Sequence, residues 1–235
     1  MDLVKQSLLY ANGLDEVFLN AQLVKLMNKN IDFADLYLQN ITSESWALDE
    51  GIIKSGSYAI NQGIGVRAVV HDRSFFSYTN ALNNDIIGSL VDNLFISGTS
   101  NSQNKQFTHN QANLAESLYT LDNPLISLSN AHKIDLLQKI NAYARQLPHV
   151  TNVIASLNME YDQIYLARSD VKSFVDVRPL VHMSISIIVN LNGKIERALV
   201  GELNNTAGKI IATVTTELKY QNQHGIKKTI DFLEY

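Results

Sequence analysis

Cysteine is absent from the 235 residues, and with it go disulfides, zinc knuckles, iron–sulfur clusters and thiol nucleophiles. A disulfide-stapled secreted domain is thereby excluded, and the chain suits a compartment that supplies no oxidant. No run approaches the roughly 18 uninterrupted apolar residues of a membrane span, so no membrane association is expected. The N-terminal stretch MDLVKQSLLY has neither the basic start nor the apolar run of a secretion signal. Blocks of Lys and Arg are missing too. The densest is the single pair Lys227–Lys228, and the formal net charge is -4, so direct nucleic-acid binding is not expected. The histidines are His71, His109, His132, His149, His182 and His224, and the two nearest in sequence, His132 and His149, are too far apart to place two metal ligands on one helix face. No Gly-x-Ser-x-Gly elbow occurs.

What remains is a globular composition, with 46% apolar and 18% charged residues, in a chain long enough for a substantial core. Apolar residues at Leu14, Val17, Phe18, Ala21, Val24 and Met27 predict a helix over 14–29 with that stripe facing a core. Short strands are expected at 35–39, 45–48, 52–60, 65–70 and 74–78, then a helix over 85–96. Residues 98–113 are almost wholly polar and read as a linker or exposed loop. A second unit follows. Ser129 caps a helix ending before Pro148, with Ile134, Leu137, Ile140 and Ala144 on one face. Strands are expected at 150–161, 163–168, 181–191 and 194–200, the last two joined by the hairpin signal Asn192–Gly193. A further strand over 209–216 and a closing helix over 221–235 complete the pattern. The fold class is α+β in two lobes, each a helix followed by a mostly antiparallel meander. The expected domains are 1–97 and 114–235.

Few residues carry a chemical signal. Gly63–Ile64–Gly65 lacks the third glycine and following helix of a phosphate cradle, so a β-bulge or a close backbone approach is the better reading. The carboxylates Glu44, Asp49 and Glu50 fall near a turn and read as a solvated face at a sheet edge rather than a catalytic pair. Trp46, the one tryptophan, alternates in phase with Leu48 and reads as packing before binding anchor. Arg67 lies in an apolar strand and Arg178 at the start of another; both are expected to pair with acidic or carbonyl groups. Trp46, Arg67 and Arg178 are the candidate peptide- or partner-facing residues. No catalytic or metal-ligating residue stands out.

Several segments in collinear order resemble the N-terminal half of the TldD/PmbA family. They are Ala34-Asp35-Leu36-Tyr37, Glu44-Ser45-Trp46, Gly51-Ile52-Ile53-Lys54-Ser55-Gly56-Ser57, Gln62-Gly63-Ile64-Gly65-Val66-Arg67-Ala68 and Asp176-Val177-Arg178-Pro179-Leu180-Val181. Glu-Ser-Trp and Gln-Gly-x-Gly-Val-Arg-Ala lean toward the TldD branch, and the resemblance covers about residues 1–201. It implies a cytoplasmic zinc metallopeptidase subunit, linked by older naming to modulation of DNA gyrase. Such proteins pair with a PmbA/TldE-like subunit and act on extended, unstructured peptides. The resemblance also places the zinc ligands in the C-terminal half, on a His-Glu-x-x-x-His helix and a later cysteine. This chain has no His-Glu dipeptide and no cysteine. The expectation is therefore a truncated, non-catalytic N-terminal portion that lacks the catalytic domain, binds no zinc and is inactive alone. Its roles would be dimerisation and framing the peptide channel, with a PmbA/TldE-like subunit or self-association as the partnership. A stand-alone interaction or regulatory module that binds a TldD/PmbA-type partner is the alternative.

Overall fold

The computed structural model describes residues 2–97, 119–204, 213–216 and 228–231. The polar stretch 98–113 lies outside them. Helices α1 (Asp2–Leu8), α2 (Glu16–Met27) and α3 (Asn84–Asp92) accompany strands β1 (Phe33–Asp49), β2 (Ile52–Val70) and β3 (Arg73–Thr79). Helices α4 (Pro124–Ser127) and α5 (Asn130–Ala144) precede β4 (Val150–Arg168), β5 (Phe174–Leu191) and β6 (Lys194–Asn204). Two short strands, β7 (Thr213–Thr216) and β8 (Lys228–Asp231), form a separate antiparallel pair. Lys228–Asp231 is thus extended where a closing helix was expected.

The six long strands form one antiparallel sheet in the order β3-β2-β1-β4-β5-β6. Each half of the chain is a helix followed by a three-stranded meander, and the two meanders meet through their first strands. The α+β class and the helix-then-meander order are those expected from sequence. Two hairpin turns carry consecutive positive φ values, Glu50 (53°) with Gly51 (81°) and Asn192 (51°) with Gly193 (84°), which is the type I′ geometry that suits right-twisted strands.

Strand length departs from expectation. β1, β2 and β4 run 17, 19 and 19 residues where pairs of shorter strands were read. Polar residues interrupt the hydrophobic pattern without ending the strands. Asp162, read as a break, is buried inside β4, and its carboxylate oxygens accept the Gln39 side-chain amide at 3.0 Å each.

The chain forms two compact units. The first comprises Met1–Ile41, Ile60–Leu118 and Asp162–Val177; the second comprises Thr42–Ala59, Tyr119–Tyr161 and Arg178–Tyr235. Buried apolar residues of the first include Leu19, Leu23, Leu26, Leu36, Leu38, Val66, Ile87 and Tyr165. Those of the second include Leu48, Leu137, Ile140, Val153, Leu157 and Ile185. Helix α2 opens on Asp15, whose carboxylate accepts the Phe18 amide at 2.6 Å. Its buried face is Leu19, Gln22, Leu23 and Leu26. That corrects the expected stripe: Val17 and Val24 are 76% and 45% exposed. Ser129 caps α5 as expected, accepting the His132 amide at 3.3 Å.

Candidate functional site

An open groove of about 600 Å³ lies on one sheet face of the first unit. Alternation along β1 brings Asp35, Tyr37 and Gln39 to it, and alternation along β2 brings Gly63, Gly65 and Arg67. β3 supplies Phe76 and Tyr78, with Asn80 just beyond its end. The register pairs Gly65 with Tyr78 and Arg67 with Phe76.

The glycines explain the groove's shape. A Cβ on Gly65 would stand 2.8 Å from a ring carbon of Phe76, so the ring rests directly on that backbone. A Cβ on Gly63 would stand 2.8 Å from the Thr79 carbonyl oxygen. Gly-x-Gly is therefore a close backbone approach, the second of the two readings weighed from sequence, and pairing continues unbroken from Ile64 to Val70. Phe76 and Tyr78 stack with centroids 6.1 Å apart and ring planes 23° apart, yet remain 62% and 71% exposed. Both rings thus leave apolar surface open to water along this face of β3.

Arg67 forms the charged end of the groove. Its guanidinium donates to both oxygens of buried Asp35, from Nε at 3.3 Å to Oδ1 and 3.1 Å to Oδ2, and from Nη2 to Oδ2. Those hydrogen bonds raise the Arg67 pKa above its ordinary value, against a smaller opposing effect of burial. The guanidinium also lies 5.5 Å from the Phe33 ring centroid, and that of Arg168 lies 5.3 Å from it. Pairing of Arg67 with an acid was expected; its neighbours Phe76 and Tyr78 were not singled out. The signal that could have found them is two aromatics two residues apart on a strand opposite Gly-x-Gly, the arrangement in which rings cover bare backbone.

The second unit holds a buried polar cluster. Lys133 on α5 has no solvent exposure, and its Nζ donates to both Glu44 oxygens at 2.9 Å and to the Leu125 carbonyl at 2.6 Å. Glu44 Oε1 also accepts the Trp46 indole N–H. Glu44 is 8% exposed and sits on β1, an interior strand of the sheet. This corrects the expectation of a solvated face at a sheet edge. The sequence had no way to show that a lysine on a distant helix would supply the counter-charge. Asp49 accepts the Asn152 amide at 2.8 Å and Glu50 accepts Lys54 at 3.0 Å. Trp46 covers Gly56, where a Cβ would meet its ring at 2.9 Å. Arg178 is exposed on β5. Of the three residues singled out from sequence, Arg67 belongs to the groove of the first unit, while Trp46 and Arg178 belong to the second unit.

Among the described residues no three His, Asp or Glu side chains gather in a way that could hold a metal ion. No helix among them is long and apolar enough to cross a membrane.

The family model for PmbA/TldA metallopeptidase domain 1 matches residues 34–95, and that for the PmbA/TldA metallopeptidase central domain matches residues 123–208. The metalloprotease TldD homolog of Haemophilus influenzae is 37% identical over 180 residues, covering 75% of this chain and 37% of that protein. The metalloprotease TldD homolog of Buchnera aphidicola subsp. Acyrthosiphon pisum is 35% identical over 201 residues, covering 85% of this chain and 41% of that protein. The chain thus spans about two fifths of these curated relatives. In fold it is similar to a Thermotoga maritima protein described as a modulator of DNA gyrase, with a TM-score of 0.64, 13% identity and coverage of 81% of this chain and 43% of that one. TldE from Thermococcus kodakarensis gives a TM-score of 0.59 at 8% identity, covering 80% of this chain and 43% of that one.

Proposed function

Because the chain belongs to the PmbA/TldD metallopeptidase family, we propose that it serves as the non-catalytic N-terminal portion of a TldD-like peptidase in the cytoplasm, handling extended peptides and associating with a TldE-like subunit. The observation that carries this reading is the pair of family matches, to the first and central domains, in a chain whose described residues gather no zinc-binding cluster. A catalytic zinc site uses three protein ligands and an open position for water. Cysteine is absent from the whole sequence, and the described histidines, His71, His132, His149 and His182, form no cluster with acidic residues. The described residues do not fit the metal. Zinc and the hydrolytic step are accordingly assigned to protein outside this chain, while the open groove of the first unit supplies contact surface.

Zinc analysis and a peptidase assay on the purified chain test the proposal. The expected outcome is no stoichiometric zinc, no chelator-sensitive hydrolysis of an unstructured peptide, and co-elution with a TldE-like subunit. Stoichiometric zinc together with hydrolysis lost to a chelator would overturn it.

A further inference from the structure

Resting on the reading that this chain handles extended peptides, we propose that the groove of the first unit seats the C-terminal end of such a peptide, with Arg67 holding the terminal carboxylate. The anchor is built to hold still. The Arg67 side chain is 48% exposed, yet buried Asp35 grips one side of its guanidinium through Nε and Nη2. The Phe33 ring centroid lies 5.5 Å from it. An arginine fixed in this way gives up little conformational freedom when a ligand arrives. Asp35 uses the Nε side alone. The outer edge, Nη1 with the second N–H of Nη2, carries two parallel donors, the fork that a carboxylate accepts with both its oxygens. Asp35 is also the one acid among the residues that line the groove, and it is buried, so no exposed carboxylate in the lining repels the incoming charge.

Position along the groove sets the direction of the ligand. Arg67 stands at one end, and Asn61, further back along β2, lines the other with Asn80 from beyond β3. At ~3.3 Å per residue the span from Arg67 to Asn61 is about 20 Å, room for the last six or so residues of an extended chain. Side-chain amides both donate and accept, as the peptide main chain does, so Asn61 and Asn80 suit either of its polar groups. Phe76 is the register partner of Arg67 and Tyr78 that of Gly65, which puts two exposed rings beside the carboxylate end. An apolar final side chain would rest there. The rest of the lining is uncharged. A single cation at the end of an uncharged groove matches a ligand whose one charge is at its own end, and that is a chain terminus. Phosphate draws on several uncompensated cations, and here there is one with an acid at its back.

Calorimetric titration of the full chain with three peptides tests the inference. The first is acetyl-Ser-Ala-Ser-Ala-Ser-Ala-Leu with a free C-terminal carboxylate. The second is the same peptide as its C-terminal amide. The third is that amide with glutamate as its third residue. The free acid is expected to bind about tenfold tighter than either amide, and inorganic phosphate at the peptide's concentration should not displace it. Arg67→Gln alone would strand the buried Asp35 charge, so it is combined with Asp35→Asn, which leaves a neutral pair. In that double variant the free acid should fall to the affinity of its amide, and a thermal melt checks that the chain is folded. Phe76→Ala should weaken acid and amide alike by about fivefold.

Equal affinity of acid and amide for the parent chain overturns the carboxylate anchor while leaving the extended-peptide reading in place; this comparison needs no variant. A glutamate amide as tight as the free acid, or displacement by phosphate, overturns the assignment to a chain terminus. An acid preference that survives in the folded double variant takes the anchor away from Arg67. No binding of any of the three peptides removes the groove from peptide handling altogether. Zinc content and co-elution with a TldE-like subunit do not depend on any of these results.

Discussion

Lys133 brings an ammonium group to a place with no solvent exposure, and three oxygens hold it there at 2.9 Å or less. Glu44 depends on it in return, because its other hydrogen-bond partner, the half-buried Trp46, offers a single N–H. Removing one partner of a buried pair strands the other, which costs about 3–5 kcal/mol. Lys133→Met should therefore destabilise the chain by about that amount in urea unfolding. Adding Glu44→Gln keeps an acceptor for the indole while discarding the stranded charge, and the double variant should recover part of the loss. A double variant no more stable than Lys133→Met alone would show that the charge on Glu44 is not what makes the cluster brittle. The cluster was partly legible. Lys133, Leu137, Ile140 and Ala144 follow one helical stripe, and all four are buried. The expected stripe began instead at Ile134, because a lysine at a core position looks like solvent-facing residue until its counter-charge is located, and Glu44 lies 89 positions away in the chain.

At the scale of elements, the pairing of β2 with β3 sets a finer test. Gly63 and Gly65 both lack room for a Cβ, but their obstacles differ. Gly63 faces a backbone carbonyl that pairing holds in place, whereas Gly65 faces the ring of an exposed side chain that can swing away. Gly63→Ala should cost about 1–3 kcal/mol, the usual range for forced overpacking, and Gly65→Ala distinctly less. Thermal melts of the two variants check the order; equal losses would mean that the Phe76 ring is as immobile as the backbone. The expected close approach at Gly-x-Gly was readable because glycine inside a strand pattern has few other uses. Other elements were less so. The first half of β2, from Ile52 to Gln62, is almost wholly exposed, so it carries no alternation by which to judge its length. Helix α2 has the opposite trouble. Apolar residues occupy two of its faces, and periodicity alone gave no means of choosing Leu19, Leu23 and Leu26 over Val17, Ala21 and Val24.

That second stripe matters at the scale of the whole molecule. Val17, Ala21 and Val24 follow helical spacing on the outer side of α2, and all three are exposed. An amphipathic helix normally leaves its outer face polar, so a second apolar stripe calls for a cover. In the reading proposed above, a companion subunit provides it. For the purified chain the available cover is a second copy, placed face to face as in a two-fold dimer, where the same patch serves both partners. Sedimentation across a hundredfold range of concentration should then show the weight-average mass rising above the 26.3 kDa of a single chain. Val17→Gln with Val24→Gln replaces the stripe by helix-compatible polar side chains and leaves the buried Leu19, Leu23 and Leu26 untouched. That double variant should stay at the single-chain mass over the same range with an unchanged melting temperature at the dilute end. A parent chain that remains at 26.3 kDa throughout, or a variant that associates as strongly as the parent, would place the association surface elsewhere.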